Sequence, residues 1–446
     1  MIARRTAAGL GLLVAAACAL VCALPRPAAA QTPPRKAKSA VEQAKEADVL
    51  VALLKRADQA TEKKDFAAAA QALEEFIAIK PGDAVAHFQL GYAYTAMERL
   101  DDAKRAYTKS IELDPKLAQG HLNLGLILLE TDPAAAVPPL KKAAELLANE
   151  ARPHFLLGLA MERSGQLEKA IAPYRMAASL DAADYESRFA LGRTLLALER
   201  HTEAEAQFRA ALERQPDSAP ARLGVASALH SSGKREAAAG EFAAYLKTRP
   251  DDTGARLRLA TLYIELEQFD AALVQLDAAE RGGLRTLDLY RMRADVHVRQ
   301  NDFTAAAAAL QQAIALAPAD AGLRATRGRY LLELRDFPAA EADLMASLKL
   351  DASQLPVLRD LVTVFYLSEK WPTTLAAIDE LAKHETLTAA SWFIRGACYD
   401  KLQMYEQAIA AYQKFLELDR GKSERQDFQA RHRVRTLQRM LERKRR

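Results

Sequence analysis

Residues 84–117 read AVAHFQLGYAYTAMERLDDAKRAYTKSIELDPKL, and this stretch decides the fold. Leu90, Tyr94 and Met97 recur at helical spacing, residues 99–102 interrupt the pattern, and Ala103, Tyr107 and Ile111 resume it. The segment is therefore two amphipathic helices joined by a short turn. Pro115 follows the second apolar run and stops that helix, because its ring cannot continue the hydrogen-bond ladder. Gly91 stands where the two helices cross, and a larger side chain there would push the backbones apart. One such hairpin cannot bury both of its faces, so it needs neighbours of its own kind.

Those neighbours run along the chain. Small residues recur at Ala57, Gly91, Gly125, Gly158, Gly192, Ala226, Ala260, Ala294, Gly328 and Gly396, with Val362 the larger exception. The step is 34 residues, except for one of 33 between Gly125 and Gly158. Twelve places after the small position come Ala69, Ala103, Ala170, Ala204, Ala238, Ala272, Ala306, Ala340, Thr374 and Ala408, with Ala136 one place early in the short unit. A bulky residue follows four later, at Leu73, Tyr107, Leu140, Tyr174, Phe208, Phe242, Leu276, Leu310, Leu344, Ile378 and Tyr412. Pro81, Pro115, Pro216, Pro250 and Pro318 close several units. By length alone, 446 residues suggest about three globular domains. A fixed period of this size predicts one stacked array of eleven units over 50–422 instead.

This pattern resembles the tetratricopeptide repeat family. The resemblance implies an all-α fold, a right-handed superhelical solenoid of stacked helix-turn-helix repeats with a concave groove. It also implies a binding scaffold that holds a peptide or a partner helix in that groove. In the family, positions 2, 5, 9 and 12 of each first helix line the groove, and those offsets do fall on one helical face. Here they supply Val85, Phe88, Tyr92, Leu122, Leu126, Phe155, Leu159 and Phe189 early in the chain. Later they supply Asp288, Arg291, Asp295, Arg329 and Arg359. The expected groove is apolar and aromatic at its N-terminal end and polar, with arginines, towards its C-terminal end. The competing reading is that tight winding buries the apolar set against adjacent repeats. The family's carboxylate clamp for chaperone tails wants Lys at position 5 and Asn at position 9. This chain has Leu54 with Asp58 and Phe88 with Tyr92, which argues against that activity.

Two irregularities break the period. Pro133, Pro138 and Pro139 in the short third repeat predict a second helix that starts late or kinks, and Pro173 predicts a bend in the next. Arg281-Gly282-Gly283-Leu284 replaces the closing proline of the seventh repeat and predicts a looser joint.

Chemistry is sparse. His87, His121 and His154 share position 4 of successive repeats, but neighbouring repeats stack roughly 10 Å apart, too far for one zinc ion, so a packing role is expected. No HExxH, GxSxG or P-loop motif occurs, and Cys398 has no fixed histidine partner. No enzyme activity, cofactor or metal is expected. Cys398, the one cysteine after residue 30, would permit a disulfide-linked dimer.

The two ends differ from the body. Arg4 and Arg5 precede an uncharged run over 6–24, then Ala28-Ala29-Ala30 and Gln31, the order of a secretory signal with cleavage after Ala30. The run is also long enough for a retained membrane anchor. Export to a periplasm or cell envelope is the expectation, with 31–49 a linker and the start of the first helix. Residues 423–446 read as a basic last helix whose stripe of Phe428, Val434, Leu437 and Leu441 covers the final repeat. Its arginines offer contact with an anionic envelope surface. Between the ends, residues 31–419 hold 48 basic against 55 acidic residues, a balance that argues against a nucleic-acid partner. Two functional readings follow: an envelope scaffold for a protein or peptide, or a component of an envelope assembly or secretion machine for polysaccharide or pilus export.

Overall fold

The computed structural model describes residues 40–445. The expected signal segment and the linker up to residue 39 lie outside the described residues. Among those described, every regular element is an α-helix, and there are 23 of them. The chain divides after Thr248 into two compact units. In the first, the helix pairs are α1 (Ala40–Glu62) with α2 (Phe66–Ile79), α3 (Ala84–Ala96) with α4 (Leu100–Leu113), α5 (Ala118–Thr131) with α6 (Pro133–Leu146), α7 (Ala151–Arg163) with α8 (Leu167–Leu180), α9 (Tyr185–Ala197) with α10 (His201–Arg214), and α11 (Ala219–Ser231) with α12 (Arg235–Thr248). In the second they are α13 (Thr253–Glu265) with α14 (Phe269–Arg281), α15 (Leu287–Arg299) with α16 (Phe303–Leu316), α17 (Ala321–Glu333) with α18 (Phe337–Leu350), α19 (Leu355–Leu367) with α20 (Trp371–His384), and α21 (Ala389–Lys401) with α22 (Tyr405–Asp419). A single helix, α23 (Glu424–Arg445), follows. Each unit is thus a stack of helix hairpins. No helix among the described residues is long and apolar enough to cross a membrane.

The periodic residues do the packing the repeat requires. All eleven bulky positions are buried, as are the alanines twelve places after each small residue. A Cβ added to Gly91 would lie 2.5 Å from the Tyr107 ring, and one added to Gly158 would lie 2.6 Å from Tyr174. The glycines therefore make room for the aromatic of the paired helix.

Every hairpin turn but that of the third repeat uses one backbone device. In the second repeat Glu98 has φ 60°, and the Arg99 amide reaches back to the Tyr94 carbonyl at 2.9 Å. This is the left-handed helix ending usually given to glycine. Here Lys64, Glu98, Glu199, Glu267, Asn301, Arg335, Glu369 and Gln403 occupy it, and glycine does so only at Gly165 and Gly233. Glu98→Gly and Glu199→Gly are expected to raise stability by about 0.5–1 kcal/mol each, since both are relieved of a left-handed side chain. Urea midpoints of the two variants check this; a fall in either would show that the side chain contributes more than the strain costs.

The third repeat lacks the left-handed residue because it is one residue short. Contrary to the expected late start, α6 begins at once on Pro133, capped by Asp132, whose side chain accepts from the Ala135 amide at 3.0 Å. Proline needs no donor at a first helical position. Pro138 and Pro139 then lie within a helix that runs on to Leu146. The carbonyls they leave unpaired belong to Ala134 and Ala135, which are exposed to water. Pro173 is carried in the same way inside α8.

The last helix corrects the expected capping stripe. Ala430, Val434 and Leu437 are buried against Tyr412 and Phe415, with Leu441 half-buried, whereas Phe428 is 72% exposed. The true stripe runs 430, 434, 437, 441, at helical spacing; Phe428 is out of phase with it. Arg433 pins the helix through two 2.6 Å bonds to Asp400.

Candidate binding face

The first-helix face of the unit ending at Thr248 carries the apolar stripe. Val85 is 53% exposed, while Phe88, Tyr92, Phe155, Leu159 and Phe189 are half-buried. The rings are held from beneath. Phe88 lies 6.0 Å from Tyr107, Phe155 5.8 Å from Tyr174, and Phe189 5.7 Å from Phe208, each against the bulky residue of its own repeat. Tyr92 meets the edge of Phe66 at 5.8 Å. Leu122 and Leu126 depart from the expectation: both are buried, so the third repeat adds no apolar surface to the stripe. Val51, at position 2 of the first repeat, is 67% exposed and extends the same face together with half-buried Leu54. The signal for it was available, since it stands 34 residues before Val85.

Two arginines interrupt the stripe, Arg152 at position 2 of the fourth repeat and Arg193 at position 9 of the fifth. Arg193 pairs with Glu162 at 2.5 Å, and Glu162 also accepts from the Tyr174 hydroxyl at 2.6 Å. Burial, together with that carboxylate, pushes the Tyr174 phenol well above its ordinary range. Arg152, the counterpart of Val85, is exposed.

The polar residues of the second unit form a different surface. Arg291 bonds Asp320 at 2.8 Å, Arg329 bonds Asp360 at 2.7 Å, and Arg359 bonds Glu385 at 2.9 Å. Each arginine crosses to an acid 26 to 31 residues further on. Asp295 pairs with Arg299 at 3.0 Å, and Asp288 is exposed. The expected cationic surface is therefore largely neutralised by ion pairs, of which Arg291–Asp320 and Arg329–Asp360 reach the next hairpin and Arg359–Glu385 closes its own. Exposed pairs of this kind add little stability, but they leave little net charge for a ligand.

The Gly282-Gly283 joint is closed like the hairpin turns: Gly283 has φ 90°, and the Leu284 amide reaches the Ala279 carbonyl at 3.1 Å. Beside it opens a cavity of about 570 Å³ lined by Glu280, Arg285, Tyr290, Arg293, His297 and Gln312. Two of its charged groups are paired with each other, since Arg293 bonds Glu280 at 2.7 Å and also Asp277 at 2.8 Å.

The three early histidines have a backbone task. The ring nitrogens of His87, His121 and His154 donate to the carbonyls of Pro81, Pro115 and Ala148 at 3.1, 3.3 and 3.1 Å. Arginines take over the same position and the same bond further on, as Arg222 to Pro216 and Arg256 to Pro250. These side chains fasten the joint between repeats. No cluster of three or more metal-ligating side chains forms among the described residues. Cys398 is fully buried, and burial pushes its thiol up to about 11, so the folded chain does not offer it for the disulfide-linked dimer.

Stacked helix hairpins with one apolar first-helix face define a repeat protein of the kind that binds along its length. The chain belongs to the tetratricopeptide repeat family, whose models match residues 84–117, 189–253, 229–283, 257–321, 291–355 and 389–422. Among solved structures it is similar to YrrB, described as a TPR protein with an unusual peptide-binding site, at 21% identity and a TM-score of 0.38, over 41% of this chain and 94% of that one. It is similar to MamA, residue 41 to the end, from Desulfovibrio magneticus RS-1, at 23% identity and a TM-score of 0.36, over 38% and 97%. It is also similar to Pseudomonas aeruginosa pilF, at 20% identity and a TM-score of 0.36, over 49% and 94%. Each likeness spans less than half of this chain. No curated protein matches it.

Proposed function

We propose that this protein is an exported, non-enzymatic scaffold of a bacterial cell envelope that holds an apolar peptide or amphipathic helix along its N-terminal first-helix face. The observation that carries the reading is the stripe from Val51 to Phe189 outside the third repeat, whose apolar side chains keep one side towards water while the other rests on the core. Val51 and Val85 are 67% and 53% exposed, and the half-buried rings behind them form a firm apolar floor. An anchor residue that loses water on such a floor gains more than one on a mobile surface. The paired arginines of the second unit make that surface the poorer candidate. Export rests on the order of charge, apolar run and small residues over 1–31.

Site-specific photo-crosslinking in cells tests the face. A crosslinker at Val51, Val85 or Tyr92 should give discrete protein adducts, and one at Asp295 or Arg329 should give none. Adducts confined to Asp295 and Arg329, or none from any position, would overturn the assignment. N-terminal sequencing of the chain from the envelope fraction should begin at Gln31; an intact Met1 in the membrane fraction would mean a retained anchor.

A further inference from the structure

The last helix has two opposed faces, and only one is used by the fold. Ala430, Val434 and Leu437 are buried on the final repeat. On the opposite side Phe428, His432, Arg435 and Arg439 recur at i, i+4, i+7 and i+11, and Arg425 and Arg443 continue the same face at i−3 and i+15. All six are exposed. Arg431 and Arg433 are neutralised by Asp427 and Asp400, at 2.6 Å in each case. Arg425, Arg435, Arg439 and Arg443 take part in no ion pair among the described residues, and the sequence adds Lys444, Arg445 and Arg446. Four unpaired arginines therefore share one helix face with an aromatic ring, stacked on His432 at 6.4 Å, along a helix of 22 residues, about 33 Å long.

We propose that this outer face of α23 docks on an anionic lipid bilayer, with the arginines at the headgroups and Phe428 between them. Charge complementarity selects the occupant. Clustered arginines on a helix surface are attracted to anionic headgroups, and an aromatic ring is favoured at the level where water gives way to hydrocarbon. The body of the chain decides against an extended polyanion such as a nucleic acid. Residues 31–419 carry 55 acidic against 48 basic residues, so the body offers a longer strand no net positive charge to follow. A bilayer needs only the one cationic face that the last helix exposes. The inference does not depend on the apolar stripe of the first unit.

Co-sedimentation of the full chain with vesicles tests it. Phosphatidylcholine vesicles with about 30 mol % phosphatidylglycerol should bind the protein more tightly than phosphatidylcholine alone, and salt of about 0.5 M should abolish the difference. Any binding through the apolar run over 6–24 would appear on both vesicles and survive salt. Replacing Arg425, Arg435, Arg439 and Arg443 with glutamine should weaken the anionic component several hundredfold, at about fivefold per arginine. The four Arg→Lys replacements should retain it, and Phe428→Ser should weaken it about tenfold. These positions are exposed, and unchanged circular dichroism and melting of each variant would show the fold intact. Equal binding to both vesicles, an anionic component untouched by the glutamine variant, or tighter binding to a single-stranded oligonucleotide than to anionic vesicles would overturn the proposal.

Discussion

Gly158→Val should destabilise the protein by about 3 kcal/mol or more, the upper end of what overpacking a core costs. The Cβ alone would lie 2.6, 2.7 and 2.9 Å from three carbons of the Tyr174 ring. That ring has nowhere to go. It is fully buried, Phe155 leans on it at 5.8 Å, and its hydroxyl is tied to Glu162. Relief must come from separating α7 and α8, which would open the fourth repeat and with it the firm floor under Phe155 and Leu159. Gly240→Ala provides the contrast. Nothing lies within 4 Å of its added Cβ, the site is an exposed turn of α12, and helix propensity alone should stabilise by about 0.5–1 kcal/mol. Urea unfolding of the two variants beside the parent decides the matter. A loss below about 1 kcal/mol for Gly158→Val would mean that the ring yields, and that the glycine is not what sets the helix separation.

Phe208→Ala should cost about 3–5 kcal/mol, the range for emptying a buried aromatic site. Its ring fills a slot between two glycines of consecutive repeats: an added Cβ would come within 2.8 Å of it from Gly192 and within 2.6 Å from Gly224. Phe189 of the apolar stripe rests on the same ring. This arrangement predicts a change of sign. Gly224→Ala alone should destabilise by clash, but in the Phe208→Ala background the new methyl enters the vacated slot and should recover part of the loss. A double-mutant cycle measures this as a coupling of more than about 1 kcal/mol, as expected for residues in direct contact. Simple additivity would show that the glycine and the ring do not share the space.

The apolar stripe is therefore the upper layer of a packing system and not a decoration added to it. Phe88, Phe155 and Phe189 each stand on the bulky residue of their own repeat. Charging these rings would disturb the core beneath them, whereas Val51 and Val85 are more than half exposed and can be altered with little structural consequence. Crosslinkers at such exposed positions separate a lost contact from a lost fold.

The sequence by itself determined the repeat. The small, bulky and alanine positions are read at a fixed period because helix crossing in every hairpin imposes the same steric demand, and the buried residues follow that list from Leu73 to Tyr412. It also placed the stripe on one helical face, since that depends only on spacing within a helix. Ala430 is in phase with Val434 and Leu437 in the sequence as well, but an alanine carries a weak hydrophobic signal beside the larger, out-of-phase Phe428. Tertiary structure decided what each face meets. Leu122 and Leu126 share the stripe's register yet are buried, because exposure is set by the neighbouring repeats and not by helical phase. The arginines of the second unit looked free because their acids lie 26 to 31 residues away, at the end of the paired helix or the start of the next hairpin, beyond any pairing within one helix. Helical order is local and is written in each turn; burial and charge pairing belong to the stack, where one helix supplies the other half of each contact.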